Sequence, residues 1–271
     1  MKERKLGALA TKISGPVAVI GDVHGQIDKL AAILEQLQAR PDFRKRSLVF
    51  LGDFVDRGPD PKSVIDLVLE LKDFHPSVTA IAGNHEFAMG NALGWHPAPE
   101  SANWPERWTS HYNAETTFAS YDAEMGDLAD LASKIPDTHR QFLTNLPWCI
   151  EHPQYFFVHA GLDPSRPFQL QVQALRQRDF TLHRPEWLCS KELVYKDPPQ
   201  DCKLTVVSGH VRVPQVEFKP KRILLDTTGG SGGDLSCVLL PEKTVLSSGK
   251  KSATSSAGGK SWWKFWNGSN S

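Results

Sequence analysis

Short runs of apolar residues, rich in β-branched and aromatic side chains, recur along the chain and predict β-strands. Each run is four or five residues long and ends at polar or glycine positions, which is typical of strands and too short for helices. The six clearest runs are VAVI (17–20), SLVFL (47–51), VTAIA (78–82), YFFVH (155–159), LTVVS (204–208) and RILLD (222–226).

Between the first strands, leucine and isoleucine recur at intervals of three and four residues, which predicts amphipathic helices. The two segments are IDKLAAILEQLQAR (27–40) and DPKSVIDLVLELKDF (60–74). The second has a proline directly after its first residue, which is typical of a helix start. Strands that alternate with helices indicate βαβ units and an α/β fold in which helices cover the sheet. From about residue 204 the pattern contains more strand than helix.

Residues 94–111, GWHPAPESANWPERWTSH, are rich in proline and tryptophan and lack periodicity. We expect a long loop here, near whatever site the protein has, followed by helical segments to about residue 146. Two interpretations of Trp95, Trp104 and Trp108 remain open. They form an aromatic wall for a peptide or a tyrosyl ring, or they pack onto the body of the protein.

The composition changes after residue 246, which predicts one domain over residues 1–246 and a separate segment over 247–271. The second segment begins as a serine-, glycine- and lysine-rich linker and ends in an aromatic tail at 262–266. Clustered tryptophans beside lysines suit a peripheral contact with a membrane or with a partner protein. A tail without contacts, or one folded back on the domain, is the alternative.

The composition excludes several classes of protein. Of the 271 residues, 31 are basic and 31 acidic, so no net charge attracts nucleic acid. The four cysteines show no CxxC spacing, which indicates a reducing compartment. The N-terminus lacks the apolar run and cleavage site of a signal peptide, and no window approaches the roughly 20 apolar residues of a membrane span. We therefore expect a cytoplasmic protein.

Five of the predicted strands are followed by aspartate, asparagine or histidine residues next to glycine. Ligand sites in α/β sheets form beyond the carboxyl ends of the strands, so these five clusters should converge on one rim. One such cluster alone has ordinary explanations, such as a helix cap, but five successive ones do not. The clusters are GDVHG (21–25), GDFVDRG (52–58), GNHE (83–86), HAG (159–161) and GH (209–210).

The side chains in these clusters are suited to divalent metal ions. They offer carboxylate and amide oxygens and imidazole nitrogens without a thiolate, which favours manganese, with iron or zinc as alternatives, over calcium. Six ligands exceed the needs of one tetrahedral ion and suit two ions that share a carboxylate, the arrangement that activates water for attack on phosphorus. The candidate ligands are Asp22, His24, Asp53, Asn84, His159 and His210.

The motifs GDVHG, GDFVDRG, GNHE, HAG and SGH, in this order, resemble the signature of the phosphoprotein phosphatase superfamily of metallophosphoesterases, and most closely its compact bacterial and phage members. The resemblance covers roughly residues 16–245, so it makes the first domain the catalytic one. It implies a calcineurin-like fold, with a central β-sandwich flanked by helices and the metal site at the carboxyl ends of the strands.

The resemblance also implies a role for each motif residue. Asp22 and His24 would hold the first metal ion, Asp53 would bridge, and Asn84, His159 and His210 would hold the second. His85 would be the general acid that protonates the leaving group, oriented by Asp56. Arg57 and Asn84 would bind the phosphate oxygens of the substrate.

A second phosphate-binding arginine is expected between the last two histidine motifs. The family has a WIR(D/E)xF-like segment there, and this chain has LRQRDF at 175–180. Arg178 is the better match, although the tryptophan is missing and Arg176 is an alternative. The later segment KRILLDTTGG (221–230) corresponds to a framework strand and turn, without a catalytic role.

The predicted activity is hydrolysis of phosphorylated serine, threonine or tyrosine in proteins or peptides. The hypothesis is direct attack by a hydroxide that bridges the two metal ions, without a phosphoenzyme intermediate. The alternative is a symmetrical dinucleoside-tetraphosphate hydrolase, because those enzymes share the metal site. Asp56 and Glu86 favour the phosphoprotein side, since the tetraphosphate hydrolases generally lack this second aspartate and have GNHD. An inactive phosphopeptide-binding module is disfavoured because all six ligands are present.

Overall fold

The computed structural model describes residues 7–249, and the strands within them form two five-stranded sheets. In chain order they are β1 (Val17–Ile20), β2 (Ser47–Phe50), β3 (Val78–Ala80), β4 (Cys149–Glu151), β5 (Tyr155–Val158), β6 (Thr205–Ser208), β7 (Glu217–Lys219), β8 (Arg222–Leu224), β9 (Ser236–Leu240) and β10 (Thr244–Ser247). The first sheet has the order β10-β9-β1-β2-β3, and the second has the order β4-β5-β6-β8-β7.

Helices lie between and around these strands. They are α1 (Ile27–Gln38), α2 (Pro61–Phe74), α3 (Asn84–Ala92), α4 (Trp104–His111), α5 (Glu115–Ser120), α6 (Leu128–Lys134), α7 (Asp137–Thr144), α8 (Phe168–Gln177) and α9 (Glu186–Cys189). Single 3₁₀ turns occur at Phe43–Lys45 and Glu100–Ala102. Both helices predicted from the leucine pattern are present, and α2 begins behind an N-cap at Asp60, whose Oδ1 accepts from Ser63 N–H at 2.9 Å.

Three neighbouring strands of each sheet run parallel, which brings their carboxyl ends together. In the first sheet β1, β2 and β3 are parallel, with Val17 opposite Ser47 and Ile20 opposite Phe50. In the second sheet β5, β6 and β8 are parallel, and antiparallel strands lie at its edges. The predicted polar clusters therefore come from two sheets, three from the first and two from the second.

Alternation of side chains along the strands shows how the sheets pack. Val17 and Val19 of β1 belong to a core that also contains residues of the second sheet, such as Phe157 and Val207. Ala18 and Ile20 point the other way, into the larger core that contains the helices. Because both faces of the central strands are buried, these strands consist mainly of apolar residues. The β-sandwich flanked by helices confirms the predicted fold class.

The prediction of a continuous loop over residues 94–111 is wrong for its second half, where α4 occupies Trp104–His111. Trp104 and Trp108 lie four residues apart, so both fall on the buried face of one helix. Asn103 takes a left-handed conformation before the helix, and Pro105 lies in its first turn. Two aromatic residues in an eight-residue helix are too few to produce a visible period in the sequence.

The last strand, β10, ends at Ser247, one residue beyond the predicted domain boundary at 246. The aromatic tail at 262–266 lies outside the described residues, so its proposed contacts stay a prediction. None of the helices among residues 7–249 combines the length and the hydropathy that a membrane span requires.

Candidate metal centre and active site

The side chains of the five predicted clusters meet at the carboxyl ends of the two sheets. The loops after β1, β2 and β3 carry Asp22 and His24, Asp53, and Asn84, while those after β5 and β6 carry His159 and His210. Five of the six residues are fully or almost fully buried, and His210 is partly buried. A cluster of titratable groups at this depth requires charge compensation.

Each aspartate of the cluster has one oxygen fixed by a backbone N–H and the other directed inward. Asp22 Oδ2 accepts from the N–H of His210 at 2.7 Å, and its Oδ1 is buried without a hydrogen-bond partner in the described part of the chain. Asp53 Oδ1 accepts from the N–H of His85 at 3.1 Å. Its Oδ2 lies 3.3 Å from His24 Nε2 and 3.4 Å from His159 Nε2.

Backbone carbonyls set the tautomers of two histidines. The Nδ1 of His24 lies 2.9 Å from the carbonyl of Val55, and the Nδ1 of His159 lies 2.7 Å from the carbonyl of Leu51. A carbonyl oxygen only accepts, so Nδ1 carries a proton in both rings, and Nε2 is the nitrogen left to bind either a second proton or a metal ion. Such a bond to the distal nitrogen is the usual way in which proteins orient a metal-ligating histidine.

The donor atoms around Asn84 lie close enough to share a proton or a metal ion. Asn84 Oδ1 lies 3.2 Å from His159 Nε2 and 2.8 Å from His210 Nδ1, and His210 Nε2 is buried without a partner among residues 7–249. Lone pairs of nitrogen and oxygen that face each other at such distances repel unless a cation or proton lies between them. We infer that the cluster is built to hold cations.

Two metal-compatible groups are present, and they share one residue. The first consists of His24, Asp53 and His85, and the second of Asp53, His159 and His210, with the ligand atoms of each group within 4.8 Å of one another. The shared carboxylate of Asp53 lies where a bridging ligand is predicted. Asn84 Oδ1 adjoins the second group through His159 and His210, and Asp22 adjoins it through the N–H of His210. The first group contains His85, the predicted general acid, in the place where Asp22 was predicted as a ligand.

The pKa values of the cluster are displaced in opposite directions, as is common at functional sites. Burial, with the nearby Asp226, raises the pKa of Asp22 well above its usual value. For Asp53, burial acts in the same direction, but the surrounding histidines outweigh it and hold its pKa well below the usual value. Burial lowers the pKa of His159, but the carboxylates of Asp53 and Asp22 raise it overall to about 10. Without metal, a proton on His159 thus compensates the carboxylates.

His85 lies at the edge of this cluster and is held by Asp56. Its Nδ1 is 2.7 Å from Asp56 Oδ2, while its buried Nε2 lies 4.0 Å from Asp53 Oδ2. Burial, with His24 and Arg57 nearby, lowers the pKa of His85 well below its usual value, and burial raises the pKa of Asp56 to about 7. A phosphate dianion beside Nε2 would raise the pKa of His85, since negative charge favours the protonated imidazole.

Arg57 places an exposed guanidinium at the entrance to the cluster. Its Nη1 lies 3.2 Å from His24 Nε2 and 3.3 Å from the carbonyl of Gly229. A guanidinium beside the first metal group is in position to pair with phosphate oxygens.

Several site residues adopt the left-handed backbone conformation that non-glycine residues rarely take. His24, Asp53, Asp56, Arg57 and His210 have φ values of 44°, 51°, 67°, 66° and 69°. Each such residue costs on the order of 1–3 kcal/mol and persists where its surroundings fix it, which is typical of active sites. The loops are therefore held in place by contacts that other parts of the fold supply.

Glu86, which the sequence analysis used to distinguish two substrate classes, supplies one of these contacts and is buried away from solvent. Its Oε1 accepts from the N–H groups of Phe54 and Val55 at 2.7 and 3.2 Å. Its Oε2 accepts from Asp53 and Gly83 at 2.8 and 2.9 Å. The carboxylate thus joins the loops after β2 and β3, and its position offers no contact with a leaving group.

Arg176, in α8, and Arg178, directly after it, are the two candidates for the second phosphate-binding arginine. Both bind other groups of the protein. Arg176 pairs with Glu151 on the surface. Arg178 is half-buried, and its Nη1 donates to the carbonyls of Thr144 and Leu146 at 3.1 and 3.0 Å. Its guanidinium also lies 5.7 Å from the ring of Phe180. A phosphate contact by Arg178 stays a prediction.

Three residues at the site were missed by the sequence analysis. Asp226 follows β8 at the same rim, is buried, and leaves Oδ2 without a partner among residues 7–249. Its position after a predicted strand is the signal that could have identified it. Trp108 Nε1 and Thr117 Oγ1 both donate to the carboxylate of Asp56. Nothing in the sequence pattern links them to a residue some 50 positions earlier.

The tryptophans of the segment 94–111, which was predicted to be a loop, pack into the protein. Trp104 and Trp108 have side chains only 2% and 0% exposed, and Trp95 packs against the core while remaining half-buried. The structure supports the packing interpretation for Trp104 and Trp108 and contradicts an exposed aromatic wall formed by them.

Comparison with known proteins agrees with this geometry. A model of the calcineurin-like phosphoesterase family matches residues 15–234, which include every residue of the cluster. The chain belongs to this family. The fold is also that of a cold-active protein-tyrosine phosphatase from a Shewanella species, with a TM-score of 0.54 at 17% identity, covering 89% of this chain and 82% of that one.

Curated relatives of this calcineurin-like phosphoesterase fall into two functional groups. A symmetrical bis(5'-nucleosyl)-tetraphosphatase of Vibrio cholerae is 28% identical over 67% of this chain and 57% of its own length. A serine/threonine-protein phosphatase of Candida albicans is 26% identical over 69% of this chain and 51% of its own length. The chain thus spans little more than half the length of either relative. The protein is a metallophosphoesterase whose relatives act on different phosphorylated substrates.

Proposed function

We propose that this metallophosphoesterase removes phosphate from phosphorylated serine and threonine side chains of proteins, and from tyrosine where the entrance admits it. The observation that carries the proposal is the imidazole of His85, held at 2.7 Å by Asp56 with its second nitrogen directed to the metal cluster. Such an arrangement is that of a general acid placed beside the reacting phosphorus.

A positioned acid matters most for a poor leaving group. When a phosphoserine is hydrolysed, the bond between phosphorus and the seryl oxygen breaks, and that oxygen must receive a proton. His85 Nε2 is the group to supply it, and Asp56 keeps Nδ1 protonated and the ring oriented. A nucleoside phosphate leaves as a stable anion and needs little help from an acid. A fixed His85–Asp56 pair therefore favours phosphomonoesters with alkoxide leaving groups.

The other residues of the chain bind and orient the phosphate. Arg57 contributes the guanidinium that lies beside His24, and Asn84 lies between His159 and His210. Burial of the cluster excludes bulk water, which strengthens each of these interactions. We expect Arg57 to contribute mainly to phosphate binding, since its side chain is exposed at the entrance.

Two divalent ions, which we propose to be Mn²⁺, with iron or zinc as alternatives, suit the donor set of the cluster. Asp22 and His24 would hold one, Asn84, His159 and His210 the other, and Asp53 would contact both. Bound there, the ions would supply charge that neutralises the phosphate and an activated water molecule as nucleophile.

Hydrolysis of dinucleoside tetraphosphates is the second candidate. The relative from Vibrio cholerae supports it, because it shares 28% of the aligned residues and carries that activity in its name. Glu86 no longer distinguishes the two candidates, since its carboxylate is fully engaged by backbone N–H groups. The distinction rests on Asp56 and its contact with His85.

The test compares substrates on one preparation. The protein is stripped of metal and reloaded with Mn²⁺, and the kcat/KM values for phosphoserine, phosphothreonine and phosphotyrosine peptides are compared with that for diadenosine tetraphosphate. His85→Asn is measured alongside, and it should lower kcat on phosphoserine by about 10²–10⁴.

A preference for the peptides, with this loss in His85→Asn, supports the proposal. A preference for the dinucleotide, with little effect of His85→Asn, contradicts it and favours the second candidate. An absence of turnover on every substrate, despite bound metal, would favour a phosphopeptide-binding module.

A further inference from the structure

The carboxylate of Asp56 receives more hydrogen bonds than its contact with His85 alone requires. Trp108 Nε1 donates to Asp56 Oδ2 at 2.9 Å, the same oxygen that lies 2.7 Å from His85 Nδ1. Thr117 Oγ1 donates to Asp56 Oδ1 at 2.6 Å. All four side chains are at most 1% exposed. These bonds therefore form in a region from which water is excluded, where their geometry is strict.

Thr117 also fixes the backbone of the same residue. Its Oγ1 accepts from the N–H of Asp56 at 2.9 Å, so the hydroxyl bonds to the backbone and the side chain of Asp56 together. Next to it, the N–H of Arg57 donates to the carbonyl of Asn113 at 3.0 Å. Asp56 and Arg57 both adopt left-handed conformations, which cost energy unless neighbouring groups hold them. The segment that contains α4 and α5 supplies those neighbours.

We propose that Trp108 and Thr117 are positioning residues for the general acid. They hold Asp56 in the orientation in which Oδ2 engages Nδ1 of His85, so that Nε2 of His85 stays directed to the cluster. The helical segment 104–120 thereby contributes to catalysis, although neither Trp108 nor Thr117 touches the substrate. This inference rests on the proposed role of His85 as general acid.

The inference predicts a dependence on the leaving group. An alkoxide needs a proton as its bond to phosphorus breaks, whereas p-nitrophenolate leaves without one. Loss of the acid's orientation should slow hydrolysis of a phosphoserine peptide much more than that of p-nitrophenyl phosphate. General loss of folding or of phosphate binding slows both alike.

Three variants separate these effects. Trp108→Phe keeps an aromatic ring but removes the pyrrole part of the indole with its N–H donor, and Thr117→Val keeps the shape and removes the hydroxyl. Thr117→Ser restores the hydroxyl and should restore the activity. The matched control is Trp148→Phe, because Trp148 is equally buried and its Nε1 has no hydrogen-bond partner within residues 7–249.

The experiment measures kcat for both substrates with the full chain loaded with Mn²⁺. Trp108→Phe and Thr117→Val should lower kcat on the phosphoserine peptide about tenfold to a hundredfold more than on p-nitrophenyl phosphate, because each removes a buried bond to a charged group. Thr117→Ser and Trp148→Phe should leave the ratio of the two kcat values unchanged. If Trp108→Phe does not fold, the Thr117 pair decides.

A second readout does not depend on activity. In metal-free protein, where no paramagnetic Mn²⁺ broadens nearby signals, the Nδ1 proton of His85, bonded to a carboxylate, should give a downfield signal in the proton NMR spectrum that persists in Trp148→Phe and shifts or disappears in Trp108→Phe. Equal losses on both substrates, together with an unchanged His85 signal, would overturn the inference. If His85→Asn itself shows no dependence on the leaving group, the proposed general acid fails instead, and the two failures are thereby distinguished.

Discussion

Replacement of Glu86 by aspartate should destabilise the protein without changing its substrate class. The substitution keeps the negative charge and shortens the side chain by one methylene, about 1.5 Å. It also reproduces the GNHD motif that the sequence analysis associated with tetraphosphate hydrolases. It therefore tests whether Glu86 acts on the substrate or on the framework.

The magnitude follows from the four backbone N–H groups that Glu86 binds at 2.7–3.2 Å, from Asp53, Phe54, Val55 and Gly83. A shorter side chain cannot reach both loops, so at least two buried donors lose their acceptor. Each such loss costs about 1–3 kcal/mol. We expect the free energy of unfolding to fall by about 2–6 kcal/mol, out of a total that is about 5–15 kcal/mol for typical domains.

Urea denaturation of the wild type and of Glu86→Asp measures this difference. Glu35→Asp is the control, since Glu35 is exposed on α1 and its substitution should change the free energy by no more than about 0.5 kcal/mol. The ratio of kcat/KM values for phosphoserine peptide and diadenosine tetraphosphate should stay the same in Glu86→Asp. An unchanged stability, or a shift of that ratio toward the dinucleotide, would refute the reasoning.

Three further predictions concern the cluster, its entrance and the second candidate arginine. A Cβ at position 209 would overlap with Asp22 Oδ1, so Gly209→Ala should weaken Mn²⁺ binding, measured by calorimetry, about tenfold or more. Gly232→Ala is the control, because the space around Gly232 is open and its Mn²⁺ affinity should stay the same. Equal affinities in the two variants would contradict the assigned role of Asp22. Arg57→Ala should raise the KM for phosphopeptides about tenfold or more, as expected for loss of a charge-assisted contact. If Arg178→Ala raises the KM for phosphopeptides as much as Arg57→Ala does, the predicted contact of Arg178 with phosphate gains support. If it lowers the stability of the protein and leaves KM unchanged, the role of Arg178 is to bind the carbonyls of Thr144 and Leu146.

The sequence predicted most of the fold because the central strands are buried on both faces. An apolar run such as VAVI at 17–20 carries its own signal, and it coincides with β1. Edge strands β4, β7 and β10 are partly exposed and mix polar with apolar residues, so they were missed. Strand β9 was missed as well, although it is buried throughout and four of its five residues are apolar. Helix α4 was missed because its two buried tryptophans in eight residues do not establish a period.

At the site, local motifs predicted which residues come together, because each follows a strand that ends at the same rim. Contacts across long sequence separations could not be predicted in this way. Trp108 and Thr117 approach Asp56 from 52 and 61 positions further along the chain. Glu86 shows the converse, since the motif identified it but only the structure shows that its carboxylate accepts from four backbone N–H groups. A motif identifies a residue, but only its contacts define its role.

The central claim is that side chains from both sheets form one metal centre with Asp53 shared between two ions. Titration of metal-free protein with Mn²⁺, followed by calorimetry and elemental analysis, tests it most directly. We predict two ions per chain in the wild type and the loss of both in Asp53→Ala, because each metal-compatible group includes this residue. His152→Ala should retain both, since His152 bonds to the carbonyl of Gly15 away from the cluster. A single ion in the wild type, or two ions in Asp53→Ala, would contradict the account.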